Sequence, residues 1–238
     1  MTPSSQQSMA RKLSYYFSKG EQVMSETISV EESRQLDNKT INEIGIPSMV
    51  LMERAGLKIY EDMIHNDDLD LSNTLILAGT GNNGGDGLVV ARLLSTHGYK
   101  VSILTVGNPD HASDDHKKQQ HICDYYQIPK VFLNERFDNY TTLVDALFGS
   151  GLSRNVGGDF ATVIDKANAS DAKIHAIDIP SGLNGDTGEV MGTAIEATST
   201  STIAYAKEGM VKAAAKPYTG KIFVDDIGIY KGLVAETK

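Results

Sequence analysis

The chain has 238 residues, 40% hydrophobic and 22% charged, the balance of one large soluble globular domain able to bury a substantial core. Its net charge of −9 and isoelectric point near 5.1 argue against nucleic acid as a main partner, because binding there depends on neutralising phosphates with Lys and Arg. The single cysteine, Cys123, excludes an internal disulfide framework and a multi-cysteine metal site and favours a reducing, cytoplasmic setting; no apolar run approaches the ~20 residues needed to span a bilayer.

Residues 1–27 read as an arm ahead of a single domain over 28–238. Met1 to Ser18 carries Arg11 and Lys12, several serines and no acid, a composition loosely like an organellar transit peptide. Internal Met9 and Met24 fit an extended start as well, and the segment is taken as a disordered or helical arm. Ser29-Val30-Glu31-Glu32 is a capping box that predicts a helix to about Glu43. Gly45 and Pro47 break it, and a second helix follows through Met49, Met52, Ala55, Leu57 and Met63, its methionine face read as core or subunit contact.

From Thr74 onward strand and helix alternate, the pattern of a parallel sheet covered on both faces. Strands are predicted at 74–78, 100–106, 130–133, 142–147, 173–179, 198–204 and 221–226, with helices at 87–97, 112–126 and 159–169. The fold class is therefore α/β: a three-layer α/β/α, Rossmann-like domain with a mostly parallel sheet and two extra N-terminal helices. His111, His116 and His121 lie in a polar stretch without a thiol or organised carboxylates and read as a solvated helix face rather than a metal site.

Between the first of these strands and the next helix runs Gly79-Thr80-Gly81-Asn82-Asn83-Gly84-Gly85-Asp86-Gly87. A turn this poor in side chains lets a ligand reach the backbone, and the free N–H groups of the following helix favour a phosphate or other oxyanion. Gly79, Gly81 and Gly84 satisfy the dinucleotide pattern, but the strand ending Thr105-Val106-Gly107 has no carboxylate to hold a ribose until Asp110. The loop also lacks the Gly-Lys-Ser/Thr of a P-loop. Two further loops leave the same sheet edge, where open parallel sheets bind ligands. One follows Asp145 as Gly149-Ser150-Gly151-Leu152-Ser153-Arg154; the other runs Asp178-Ile179-Pro180-Ser181-Gly182. Asp145 inside an apolar strand and Asp178 at the end of another are costly to bury unless bonded, paired or functional. Pro180 keeps Ile179 extended, so Asp178 is expected at the sheet edge with Ser181 near the same pocket.

These three motifs in this order, over about Ile28 to Ile229, resemble the NAD(P)H-hydrate epimerase family, the YjeF N-terminal domain. The resemblance implies a dimeric Rossmann-like enzyme, an isomerase acting on NADHX or NADPHX, the cofactors hydrated at C6 of the nicotinamide ring. It implies substrate contacts at Asn82, Asn83, Gly84, Gly85 and Asp86, at Gly149, Ser150, Gly151, Leu152, Ser153, Arg154 and Asn155, and at Asp178. It also implies one potassium ion per subunit on Asn83, Asp145 and Ser181, oxygen donors that suit a hard cation, and Asp178 as catalytic acid/base. Two segments depart from the family's pattern: Arg54 stands where asparagine is common, and Tyr205-Ala206-Lys207-Glu208-Gly209 replaces Pro-Lys-x-Gly, with Lys207 read as a loop lysine near substrate. The dehydratase domain of bifunctional relatives is not in this chain, so the repair partner is expected to be a separate protein. The alternatives are a non-catalytic dimerising scaffold of the same fold, an NAD-dependent oxidoreductase, for which no ribose carboxylate or catalytic Tyr/Lys is found, and a cofactor-binding sensor.

Overall fold

The computed structural model describes residues 13–18 and 21–231. Two strands, β1 (Leu13–Ser18) and β2 (Glu21–Ile28), pair antiparallel where the sequence reads as a disordered or helical arm. Met9, Arg11 and Lys12 lie outside the described residues. Ser29 caps α1 (Val30–Lys39) by accepting the Glu32 N–H at 3.0 Å, but the Glu32 carboxylate turns to Lys231 Nζ at 2.6 Å, so one half of the capping box forms. The helix continues through a π-helical turn, Thr40–Ile44, and stops at Gly45, whose φ of 87° is open to a residue without Cβ. Pro47 then leads into α2 (Ser48–Ile64), which buries Leu51, Met52, Ala55, Ile59 and Met63 along one stripe.

The remaining elements alternate as the apolar pattern requires: β3 (Thr74–Ala78), α3 (Asn82–Thr96), β4 (Val101–Thr105), α4 (Asp114–Tyr125), β5 (Lys130–Val131), β6 (Thr142–Ala146), α5 (Gly158–Asn168) and β7 (Lys173–Ile177). The chain closes with β8 (Ser199–Ile203), the two-residue β9 (Ala206–Lys207), the single turn α6 (Lys216–Thr219) and β10 (Lys221–Asp225). Seven strands make one parallel sheet in the order β10-β8-β7-β6-β3-β4-β5. Side chains alternate across it. Ile76, Ala78, Val144 and Ala146 pack with residues of α2, α3 and α4, whereas Leu75, Leu77 and Leu143 pack with Val163, Ile164 and Ala167 of α5. Those two apolar layers on one sheet are the three-layer architecture. Cys123 lies in the first, 1% exposed, its thiol pushed up to about 12 by burial.

Strand order places the site. The chain winds outward from β3 through β4 to β5, returns to lay β6 on the other side of β3, and then winds the opposite way. Strand order therefore reverses between β3 and β6, and the crevice beyond their carboxyl ends is where such sheets bind ligands. A second, three-stranded sheet, β1-β2-β9, joins the N-terminal segment to this edge: Thr27 and Ile28 pair in parallel with Ala206 and Lys207.

One expectation changes with packing. His116 is 3% exposed rather than solvated, because its face of α4 lies against the glycine-bearing start of α3, while His111 and His121 are exposed. On the opposite side of the sheet from α5, a polar chain is sealed beneath α2: His175 bonds Ser199 at 2.8 Å and Ser201 at 3.1 Å, and Ser201 donates to Asp62 at 2.7 Å. Asp225 Oδ2 finds no donor there, and burial followed by the nearby Asp62 pushes Asp225 up to about 9. The folded pKa is raised, so this site stabilises the fold fully below the unfolded value and loses that contribution as pH rises through about 9. Urea unfolding between pH 5 and 9 should show stability falling with pH, and Asp225→Asn should flatten the slope; an unchanged slope would remove Asp225 as its source.

Candidate active site

The glycine corner after β3 becomes helix earlier than its composition indicates. α3 starts at Asn82, and its first intrahelical bond runs from Gly85 N–H to Gly81 O at 3.1 Å, leaving the N–H groups of Asn82, Asn83 and Gly84 without helical acceptors. Close packing selects the glycines. A Cβ at Gly84 would fall 1.8 Å from the Gly79 carbonyl oxygen, and one at Gly85 would meet the Met52 side chain at 2.6 Å. Gly84→Ala is expected to cost about 1–3 kcal/mol through overpacking, read as a lowered thermal midpoint; an unchanged midpoint would show that the corner can yield.

Asp178 follows β7 with φ at 67°, a left-handed conformation that Asp tolerates better than most residues. Its N–H donates to Ser201 O at 2.8 Å, and Ile179 N–H closes back on Ile177 O at 2.9 Å, so the chain turns sharply around the aspartate instead of leaving extended. The carboxylate accepts Ser150 N–H at 3.1 Å and is ion-paired with Lys207, which is 1% exposed. The other Lys207 donors reach Ile203 O at 3.1 Å and Thr202 Oγ1 at 3.3 Å, so each ammonium proton has an acceptor. Lys207 is thus a buried residue of β9 held by pairing with β2, not a loop lysine.

Around this pair opens a cavity of about 480 Å³, within the range of small-molecule sites. Thr80, Gly81, Asn82, Asn83 and Asp86 form one wall, Leu147 to Leu152 another, and Asp178 and Lys207 the floor. The third wall is α1, through Ser33, Arg34 and Asp37, with Arg34 Nη2 donating to Ser150 O at 2.7 Å. Phe148 and Phe160, ring centroids 4.6 Å apart, add an apolar side. Burial pushes Asp37 up to about 6, with Lys207 opposing and Asp178 adding to the rise, and it pushes Asp86 well above the ordinary carboxylate range. A Cβ at Gly149 would fall 2.8 Å from Asp178 Oδ2 and 3.1 Å from Asn83 Oδ1, so the glycine makes room for both side chains. The cavity combines helix-terminal N–H donors, a paired carboxylate and apolar surface, the parts needed to hold a phosphate-bearing ligand and move a proton on it.

The family model of the YjeF-related protein N-terminus matches residues 48–209. A relative from Lentilactobacillus buchneri, named NAD(P)H-hydrate epimerase, is 79% identical over 90% of this chain and 100% of its own length. The chain belongs to the NAD(P)H-hydrate epimerase family. A Limosilactobacillus reuteri relative of the same name is 48% identical, over 85% of this chain and 96% of its own. The crystal structure of yeast ynu0 has the same fold, with a TM-score of 0.69 at 21% identity over 77% of this chain and 82% of that one.

The residues that the family resemblance assigns to substrate divide in space. Asn82, Asn83, Asp86, Gly149, Ser150, Gly151, Leu152 and Asp178 line the main cavity. Ser153 lines an adjoining cavity of about 150 Å³ that shares Arg34, Gly149, Ser150 and Leu152. Gly84 and Gly85 are buried in the helix packing, and Arg154 and Asn155 are exposed, outside both linings. Asp145 and Ser181 lie one layer below the cavity: Asp145, 0% exposed, accepts Ser181 N–H at 2.7 Å and the Ser181 hydroxyl at 2.6 Å, while Ser181 Oγ accepts Phe148 N–H at 2.9 Å. Burial, opposed by these bonds, pushes Asp145 up to about 6. Asn83 lies against Gly149 of the same turn, its buried Oδ1 and Nδ2 without a hydrogen-bond partner. An unpartnered amide oxygen with a carboxylate and a hydroxyl fits a hard cation. Arg54 does not reach the cavity; its guanidinium lies against Gly228.

Among the cavity residues that spacing along the chain does not reveal are Asp37, Ser33 and Arg34. They read as the polar face of an N-terminal helix, and only the docking of α1 over the sheet edge brings them to the site.

Proposed function

We propose that this chain is an NAD(P)H-hydrate epimerase, interconverting the R and S forms of NADHX and NADPHX at C6. The observation that carries the reading is the buried Asp178–Lys207 pair on the floor of a cavity that opens at the switch point of the sheet, in a member of this family. The C6 hydroxyl lies beside the ring nitrogen and can leave as water with help from the nitrogen lone pair. The iminium-like cation that results is open to water from either face. Asp178 is the acid/base, held by Lys207 and Ser150 N–H so that its carboxyl stays at one place on the ring. The pyrophosphate rests on the free N–H groups at the start of α3, where the helix dipole favours negative charge. Asn83, Asp145 and Ser181 would hold a potassium ion, which supplies a counter-charge to the buried Asp145.

Ile44, Val50 and Leu57, exposed on the N-terminal helical segment, supply an apolar face for a homodimer. The enzyme works in the cytoplasm beside a separate NAD(P)HX dehydratase; among the described residues no helix is long and apolar enough to cross a membrane. Incubation with R-NADHX, followed by chromatography with and without potassium, should give the S epimer faster than the spontaneous rate. No acceleration in either condition would leave a non-catalytic scaffold as the reading.

A further inference from the structure

One buried acid of the cavity has no part in the reaction as written above. Asp86, in the first turns of α3, is 8% exposed and lines the cavity together with Asp178. Its surroundings are opposite to those of Asp178. Lys207, the buried cation of the floor, is committed to Asp178, Thr202 and Ile203. The influences on Asp86 are burial, then the charge of Asp178, then that of Asp37 on α1, and all three favour the protonated acid. From α4, His116 packs behind the adjacent Gly85, and burial lowers its proton affinity, so it brings no positive charge near pH 7. Asp86, with no cation beside it, and Asp178, paired with Lys207, face one space, the arrangement that divides acid from base.

We propose that Asp86 is a second catalytic residue of this site: it gives the proton with which the C6 hydroxyl leaves as water, and Asp178 takes the proton of the water that re-attacks. This deepens the epimerase reading and rests on it. In the first half the Asp86 O–H bond breaks, its proton joins the hydroxyl oxygen, the C6–O bond pair goes to that oxygen, and the ring-nitrogen lone pair forms a C6=N bond. In the second half a water lone pair forms the new C6–O bond, the C6=N pair returns to nitrogen, and one water proton passes to Asp178. One water leaves and one enters, and the proton returns from Asp178 to Asp86 through solvent. No oxidant or reductant is needed.

The test is Asp86→Asn, an isostere that cannot give a proton. Its kcat for R-NADHX should fall about 100-fold or more with KM within about threefold of wild type, the loss expected of a missing general acid rather than of missing binding. Independently of turnover, the infrared difference spectrum of wild type minus Asp86→Asn at pH 7 should contain the carbonyl stretch of a protonated carboxylic acid; Asp86→Leu serves the same subtraction if the amide does not fold. Absence of that band, or wild-type kcat in Asp86→Asn, overturns the assignment. If wild type itself does not epimerise NADHX, the functional reading falls and this inference with it. If wild type turns over and Asp86→Asn keeps pace, only this inference falls.

Discussion

Asp178→Asn is expected to lower the turnover of R-NADHX by about 10²–10⁴-fold, the span set by losing a positioned general acid/base. The substitution isolates chemistry from folding. Asparagine keeps the size of the side chain and tolerates the left-handed φ of 67°, and its amide oxygen can still accept the Ser150 N–H. It cannot take a proton from water near neutral pH. Asp178→Ala, by contrast, leaves the buried Lys207 ammonium facing no acceptor at that position and is expected to lower stability as well as activity. Chromatographic rates and thermal melts on the same preparations separate the two. Wild-type turnover in a folded Asp178→Asn protein would end the acid/base assignment.

The largest expected loss of stability comes from Lys207→Met. Lys207 is 1% exposed and Asp178 7%, so removing the cation leaves a buried carboxylate without its partner. Breaking one side of a buried pair in this way costs about 3–5 kcal/mol. In a chain of this size that lowers the melting point by on the order of 10 °C. Catalysis should fall too, because the ammonium fixes the position of the Asp178 carboxylate over the cavity. The double variant Lys207→Met with Asp178→Asn should recover part of the stability, since the uncompensated charge is gone. Urea midpoints for wild type, both single variants and the double variant close the cycle; a coupling energy below about 0.5 kcal/mol would show that the pair does not hold the two residues together.

The strands and their order of appearance were legible because their signal is local. Six of the seven runs are mostly apolar and the other, at 198–204, is rich in Thr and Ser, and all seven form strands of the sheet, β3 over the expected residues and the rest within one or two residues at each end. β3, β6 and β7 each end in a loop whose glycines and acids are visible along the chain, and those loops converge because parallel strands share one carboxyl edge. The early start of α3 was not legible. Gly84, Gly85 and Gly87 are poor helix formers, yet here they enter the helix because Gly79, Met52 and Ala146 approach too closely for any side chain.

By itself the sequence determined the layer order, the glycine corner and the two aspartates, all readable from periodicity and from the cost of burying charge. Only the tertiary structure decided which groups meet. The β1–β2 pairing, the seating of Lys207 against Ile28 and beneath Asp178, and Asp37 on the wall depend on contacts between segments far apart in the chain. So does the layering that sets Ser181 and Asp145 behind the 147–149 turn. A lysine or aspartate reads as solvated until the partner that compensates its burial is in place, and that partner is a property of the folded arrangement rather than of any stretch of residues.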